Sequence, residues 1–287
     1  MLASRTLIIG DPSDPWTSRL IDQSPRPRLI LDTAAGLPDR WPDLARTATA
    51  VVVHTPTFDT RLAATLRLLR RDLTPGIPFV LCQHPLNRYA QIEPHVALFS
   101  DVLTEATALE VLGRHLDPTR ARCPASVPVL VVSNLNELGL WLAAAVRAAG
   151  FEPRLVRDWH SAGAEPIAVW DFPVLDGIGD ARLRREGRRR AVVVVANFLD
   201  RSLVERLRSV GARACLDLPC DGDDLSHVLH RLASALPARR THYLDPPSPT
   251  PSGPHNAGRL RHRDPQARFA WDGGRDEPAG HAIRPPG

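Results

Sequence analysis

The chain contains no lysine: all 36 of its basic residues are arginine. That absence excludes two kinds of chemistry. A Walker-type phosphate loop needs a lysine to reach the phosphates, and Schiff-base catalysis needs a lysine amine. Cysteine is scarce too. Cys82, Cys123, Cys215 and Cys220 show no paired C-x-x-C spacing, so neither a zinc ribbon nor a disulfide framework is expected. Free thiols in a cytoplasmic protein are the expectation. Aromatic residues make up only 5% of the chain, so its cores must be packed from Val, Leu and Ala. No apolar run is long enough to span a membrane, and the opening MLASRTLIIGDPSDP is too short in apolar residues for a secretory leader. No Gly-x-Ser-x-Gly elbow supplies a hydrolase nucleophile. Gly10-Asp11-Pro12 lacks the glycine spacing of a dinucleotide site. A net charge of +4 over 287 residues is mild and does not point to nucleic acid.

What is present is a repeated rhythm of short apolar runs and amphipathic stretches. In the first unit, strands are expected at 5–10, 28–31, 50–53, 78–82 and 101–103. Helices are expected at 60–73, where Leu62, Leu66, Leu69 and Leu73 share a face, and at 107–116, where Leu109, Leu112 and Leu116 do. The stretch 87–98 reads as a poorer helix interrupted at Pro94, and Trp16, Leu20 and Ile21 are the only anchors of an otherwise polar segment. The Pro- and Arg-bearing stretch 118–126 is a linker. The rhythm then restarts, with strands at 128–132, 154–156, 167–170, 191–195 and 214–216. Asn134 and Glu137 are spaced to cap the helix that runs to about Ala149. Helices at 201–210 and 221–236 complete the second unit. The fold class expected is α/β: two tandem flavodoxin-like, doubly wound parallel-sheet domains, 1–117 and 127–238. The tail 239–287 is rich in Pro, Gly and Arg, has almost no apolar periodicity, and is expected to be disordered.

The second unit resembles a response-regulator receiver domain. The residues that carry the resemblance are strand-ending Asp171, then Pro173 and Asp176-Gly177, the run Ala191–Val195, Val210-Gly211-Ala212, and Pro219 before an Asp-rich helix start. The first unit is similar by strand order, with Asp101-Val102-Leu103 matching a fifth strand. The resemblance implies an aspartate phosphorylated with magnesium, held by two acidic residues after the first strand and assisted by a hydroxyl and a lysine. Here Asp171 keeps the acceptor position. Ser133 and Asn134 stand in place of the acidic pair, Ala196 in place of the hydroxyl, and Leu218 in place of the lysine. In the first unit Asp11 is a lone acid, His54 replaces the acceptor, and Glu105 or a neighbour replaces the lysine. Both units therefore read as degenerate receivers, and magnesium is expected only if Asp171 is active.

The function expected is a non-catalytic signalling or interaction module, independent of phosphorylation, that works on protein partners and not on nucleic acid or membrane, with a homodimer open. The alternative is a small-molecule- or metal-binding α/β protein, an enzyme or not, using the carboxyl edge of the first unit. No metal site is expected from spacing alone. Asp11, His54 and His84 are the set that would gather at that edge. The six arginines between Arg182 and Arg190 read as a solvated face, and Phe269 with Trp271 as a candidate docking motif in the tail.

Overall fold

Val51–Val53 and Val192–Val195 are unbroken valine runs, and such runs are stable chiefly as strands covered on both faces. In the computed structural model both lie in interior strands and are almost wholly buried. The structure describes residues 5–23, 28–32, 44, 46–87, 89–117, 127–173 and 177–236. The linker 118–126, residues 174–176 and the tail 239–287, with Phe269 and Trp271, lie outside the described residues.

The first half runs β1 (Arg5–Gly10), α1 (Pro15–Asp22), β2 (Arg28–Asp32), β3 (Ala48–His54), α2 (Thr60–Asp72), β4 (Phe79–Gln83), a short α3 (Tyr89–Ile92), β5 (Asp101–Thr104) and α4 (Glu105–Leu116). The second runs β6 (Pro128–Val132), α5 (Asn136–Ala148), β7 (Glu152–Val156), β8 (Ile167–Asp171), α6 (Gly177–Gly187), β9 (Ala191–Asn197), α7 (Arg201–Val210), β10 (Ala212–Leu218) and α8 (Gly222–Ala235). The sheets read β2-β1-β3-β4-β5 and β7-β6-β8-β9-β10, with every neighbouring pair parallel. Both follow the same order, second-first-third-fourth-fifth, which is the flavodoxin-like winding.

Three local expectations differ from what is seen. The segment around Trp16 is a helix, started by Asp14, whose carboxylate accepts the Trp16 N–H at 3.0 Å. The cap expected from Asn134 and Glu137 does not form. α5 begins at Asn136, and it is the Ser133 hydroxyl that accepts the Leu135 N–H, at 3.2 Å. The arginine-rich segment is mostly helix α6, and Arg190 beyond its end is buried. Its guanidinium donates to the Gly163 carbonyl at 2.9 Å and the Glu165 carbonyl at 3.2 Å, and lies over the Trp159 ring.

Period-two alternation sorts the first sheet into two cores. Leu7, Ile9, Val51, Val53, Phe79 and Leu81 face α2. Ile8, Val52, Val80 and Cys82 face the other way, toward α1 and α4, in a core continuous with that of the second half. α4 forms the shared wall. Its Leu109, Leu112 and Leu116 are buried as expected, but so are Ala106, Ala108, Val111 and the polar Thr107 and Glu110. The described residues accordingly belong to one compact unit within Met1–Arg239. α4 also covers β10, the outer strand of the second sheet. The Cys215 N–H donates to Glu110 Oε1 at 3.1 Å, and the Asp217 N–H to Thr107 Oγ1 at 3.1 Å. Side chains of one half thus satisfy the free edge of the other, as an uncovered strand edge would require of water or a stray partner.

Candidate functional sites at the two carboxyl edges

In open α/β sheets, ligands bind beyond the carboxyl ends of the strands. At that edge of the first sheet β1 and β3 run close together. A Cβ at Gly10 would lie 2.5 Å from the His54 carbonyl oxygen, so only glycine fits there. His54, at the end of β3, is buried between two groups. Its Nδ1 is 2.7 Å from Thr17 Oγ1, and its Nε2 is 2.6 Å from Glu105 Oε1 at the start of α4. The His84 ring stands 5.4 Å from that of His54.

The edge is closed from the other half. Arg201, the first residue of α7, reaches across and grips two carboxylates at once. Its Nε donates to Glu105 Oε2 at 2.8 Å and one terminal nitrogen to Glu105 Oε1 at 2.7 Å. Its two terminal nitrogens donate to Asp14 Oδ1 at 3.2 Å and Oδ2 at 2.6 Å. The guanidinium also stacks over Trp16, 5.3 Å from the ring centroid. Burial works to raise the pKa of Glu105, but the bonds from His54 and Arg201 outweigh it and hold the carboxyl below its ordinary range. Asp14 behaves alike: burial is outweighed by Arg201 and by the Trp16 N–H. Burial, then the Arg201 charge, push His84 down, so it stays neutral. Arg201 itself is held still more firmly protonated, chiefly by its bonds to Glu105.

Of the residues singled out from the sequence, the structure brings His54 and His84 together and leaves Asp11 outside the group. Asp11 is half-buried and accepts the Ser13 N–H at 2.8 Å and hydroxyl at 2.6 Å, a local turn. Asp14 and Glu105 take its place: Asp14, His54, His84 and Glu105 present ligand atoms all within 4.8 Å of one another. Two imidazoles and two carboxylates are a donor set for a transition metal. Two features oppose that use in the arrangement seen. Arg201 places a fixed positive charge on both carboxylates. His84 Nδ1 accepts the Leu86 N–H at 3.1 Å, so the proton of the neutral ring sits on Nε2, the nitrogen 3.7 Å from Asp14.

The second edge is sparse. Asp171 ends β8, and its Oδ2 lies 2.9 Å from the Ser133 hydroxyl. That hydroxyl has one hydrogen and also faces the Leu135 carbonyl at 3.1 Å. Asn134 is exposed. Ala196 is buried in β9, and Leu218, half-buried, ends β10 before a cis peptide bond to Pro219. Among the described residues no ion pair engages Asp171. Magnesium prefers several hard oxygen ligands, usually including more than one carboxylate. Among the described residues, a single carboxylate beside a shared hydroxyl does not fit it.

Arg201, Asp14 and Glu105 are the residues that matter most at the first edge, and only Glu105 had a signal, as the residue standing near the lysine position. Asp14 reads as a helix start once α1 is known. Nothing in Leu-Asp-Arg-Ser foretells a bond to a residue 187 positions away. His227 and His230 lie on α8, and the His230 ring packs 4.9 Å from that of Phe151.

No family model matches the chain, and no curated protein matches it. Solved structures of similar fold include a response regulator from Thermotoga maritima, 19% identical over 39% of this chain and 100% of the other, with a TM-score of 0.35. A chemotaxis protein from Vibrio cholerae is 19% identical over 38% of this chain and 99% of its own, with a TM-score of 0.33. A pilus assembly-related protein from Burkholderia pseudomallei is 18% identical over 40% and 95%, with a TM-score of 0.37. These are likenesses of fold to receiver domains and their kin. The flavodoxin-like winding of each half is shown by the two strand orders themselves.

Proposed function

We propose that this chain is a non-catalytic interaction module of receiver-type build, with units 1–117 and 127–238, that binds protein partners without a phosphorylation switch. The observation that carries the reading is the surroundings of Asp171. Transfer of a phosphoryl group to a carboxylate requires a divalent cation and a positive group to absorb the developing charge. The positions where these would be held carry Ser133, Asn134, Ala196 and Leu218, and no guanidinium of the described residues pairs with Asp171. The first edge supports the same reading from the opposite side, because Arg201 already fills it. Incubation with acetyl phosphate and magnesium is the test. No stable incorporation is expected; a label that forms and is abolished by Asp171→Asn would overturn the reading.

A second reading, a metal- or small-molecule-binding protein, is favoured by one observation: the close grouping of Asp14, His54, His84 and Glu105. It requires Arg201 to withdraw and His84 to release the Leu86 amide. Calorimetric titration with zinc, on the protein and on Arg201→Ala, checks it. Absence of stoichiometric binding to both would remove it.

A further inference from the structure

Nine large apolar side chains are exposed among the described residues, and four of them lie on or beside α5 and the strand β7 that it packs against. Leu140 (64% exposed) and Trp141 (39%) lie on α5, Leu135 (57%) just before it, and Leu155 (39%) on the adjacent outer strand β7. The face of the second half made by α7, β10 and α8 is already covered by α4, so it is not free to dock anything. The α5 face is.

Its pattern is self-complementary. Glu137, Leu140, Ala144 and Arg147 are all exposed and follow a three-four-three spacing, the seam of a helix that packs on another helix. Glu137 and Arg147 stand five residues to either side of Leu142, and Leu140 and Ala144 two residues to either side. If a second copy of α5 is laid antiparallel with its two-fold axis at the level of Leu142, each Glu137 meets the other copy's Arg147, and each Leu140 meets the other's Ala144. Opposite charges close both ends, and a large side chain faces a small one in between. Such pairing of one patch with itself is what a two-fold interface requires. Neither Glu137 nor Arg147 has an ion-pair partner among the described residues. Strand addition at β7 is the poorer use of this surface, because Pro153 removes an N–H and Glu152 and Arg154 put charge along the edge.

We infer that the protein self-associates as a two-fold dimer through antiparallel contact of α5, with Leu140–Ala144 contacts at its centre and Glu137–Arg147 pairs at its ends. The inference does not depend on what either carboxyl edge does.

Sedimentation equilibrium of the full chain tests it. Wild type is expected to reach twice the 31.5 kDa chain mass. Leu140→Asp is expected to be monomeric, with the urea midpoint that wild type shows when diluted until its dimer dissociates. Glu137→Arg sets like charges against each other at both ends and is expected to weaken the dimer at least about tenfold. Arg147→Glu should do the same, and the double exchange Glu137→Arg/Arg147→Glu should restore wild-type association. A wild-type chain that is monomeric into the high micromolar range would overturn the inference. So would a dimer indifferent to Leu140→Asp, or a double exchange that fails to recover.

Discussion

The carboxyl edges of the two sheets occupy the same place in the same strand order, yet they hold opposite chemistry. In the first, two acids, two histidines and a borrowed arginine are locked together and largely removed from water. In the second, one half-buried carboxylate meets one serine hydroxyl. The fold fixes where such residues collect, through strand ends and the loops that follow them. It does not fix what they do. In the first half the edge has become part of the cement between halves; in the second it has stayed at the surface.

Three changes would break or sharpen that contrast. Arg201→Ala should have the largest effect. It leaves Glu105 buried with His54 as its remaining partner, and Asp14 without its cation. Removing one member of a buried ion pair costs about 3 kcal/mol, which urea unfolding would read as a lowered midpoint. The pH profile should be affected next. Asp224 is buried, yet the bonds from His115 and Arg114 hold its pKa down, as those of Arg201 do for Asp14 and Glu105. Stability from these three acids is present above about pH 4, where unfolded carboxylates titrate, and is lost as pH falls through their lower folded values. For His115, burial works downward, but Asp224 and then Asp101 raise its pKa overall. Its contribution is complete below about pH 6.5 and is lost as pH rises through the higher folded value. The unfolding midpoint should therefore be highest between those limits. Replacing His115 by Gln should flatten the alkaline limb and shrink the Asp224 share of the acid limb, leaving the share of Asp14 and Glu105 in place. Asp171→Asn should matter least. It disturbs a single hydrogen bond, and a change of at most about 1 kcal/mol is expected. A larger loss, measured by the same unfolding curves, would mean the second edge is as structural as the first.

The strands were legible because β-branched runs leave the chain little choice: AVVVV is the body of β9, and the winding of both halves follows from the alternation. Helix α4 shows where that reading stops. Leu109, Leu112 and Leu116 announce one buried face, but Ala106, Ala108 and Val111 are short enough to pass for solvent-facing residues. Glu110 reads as an ordinary surface charge. In the fold it is 3% exposed and bonded by Arg208 at 2.5 Å and by Arg231. Its burial is decided by a partner strand more than a hundred positions away, and no local period records that. The same holds at the sites: His54 could be placed from its strand end, whereas Arg201 could not.

α4 belongs to the first half by sequence and to both halves by contact. A wall held in common removes the usual freedom of tandem modules to be copied, shuffled or trimmed separately. Cut away with the first half, α4 would face water with Val111 and Ala108. Left without it, the second half would carry a bare strand edge at β10. The two halves stand as one compact unit, and the smallest piece of chain that can serve as a building block is the pair.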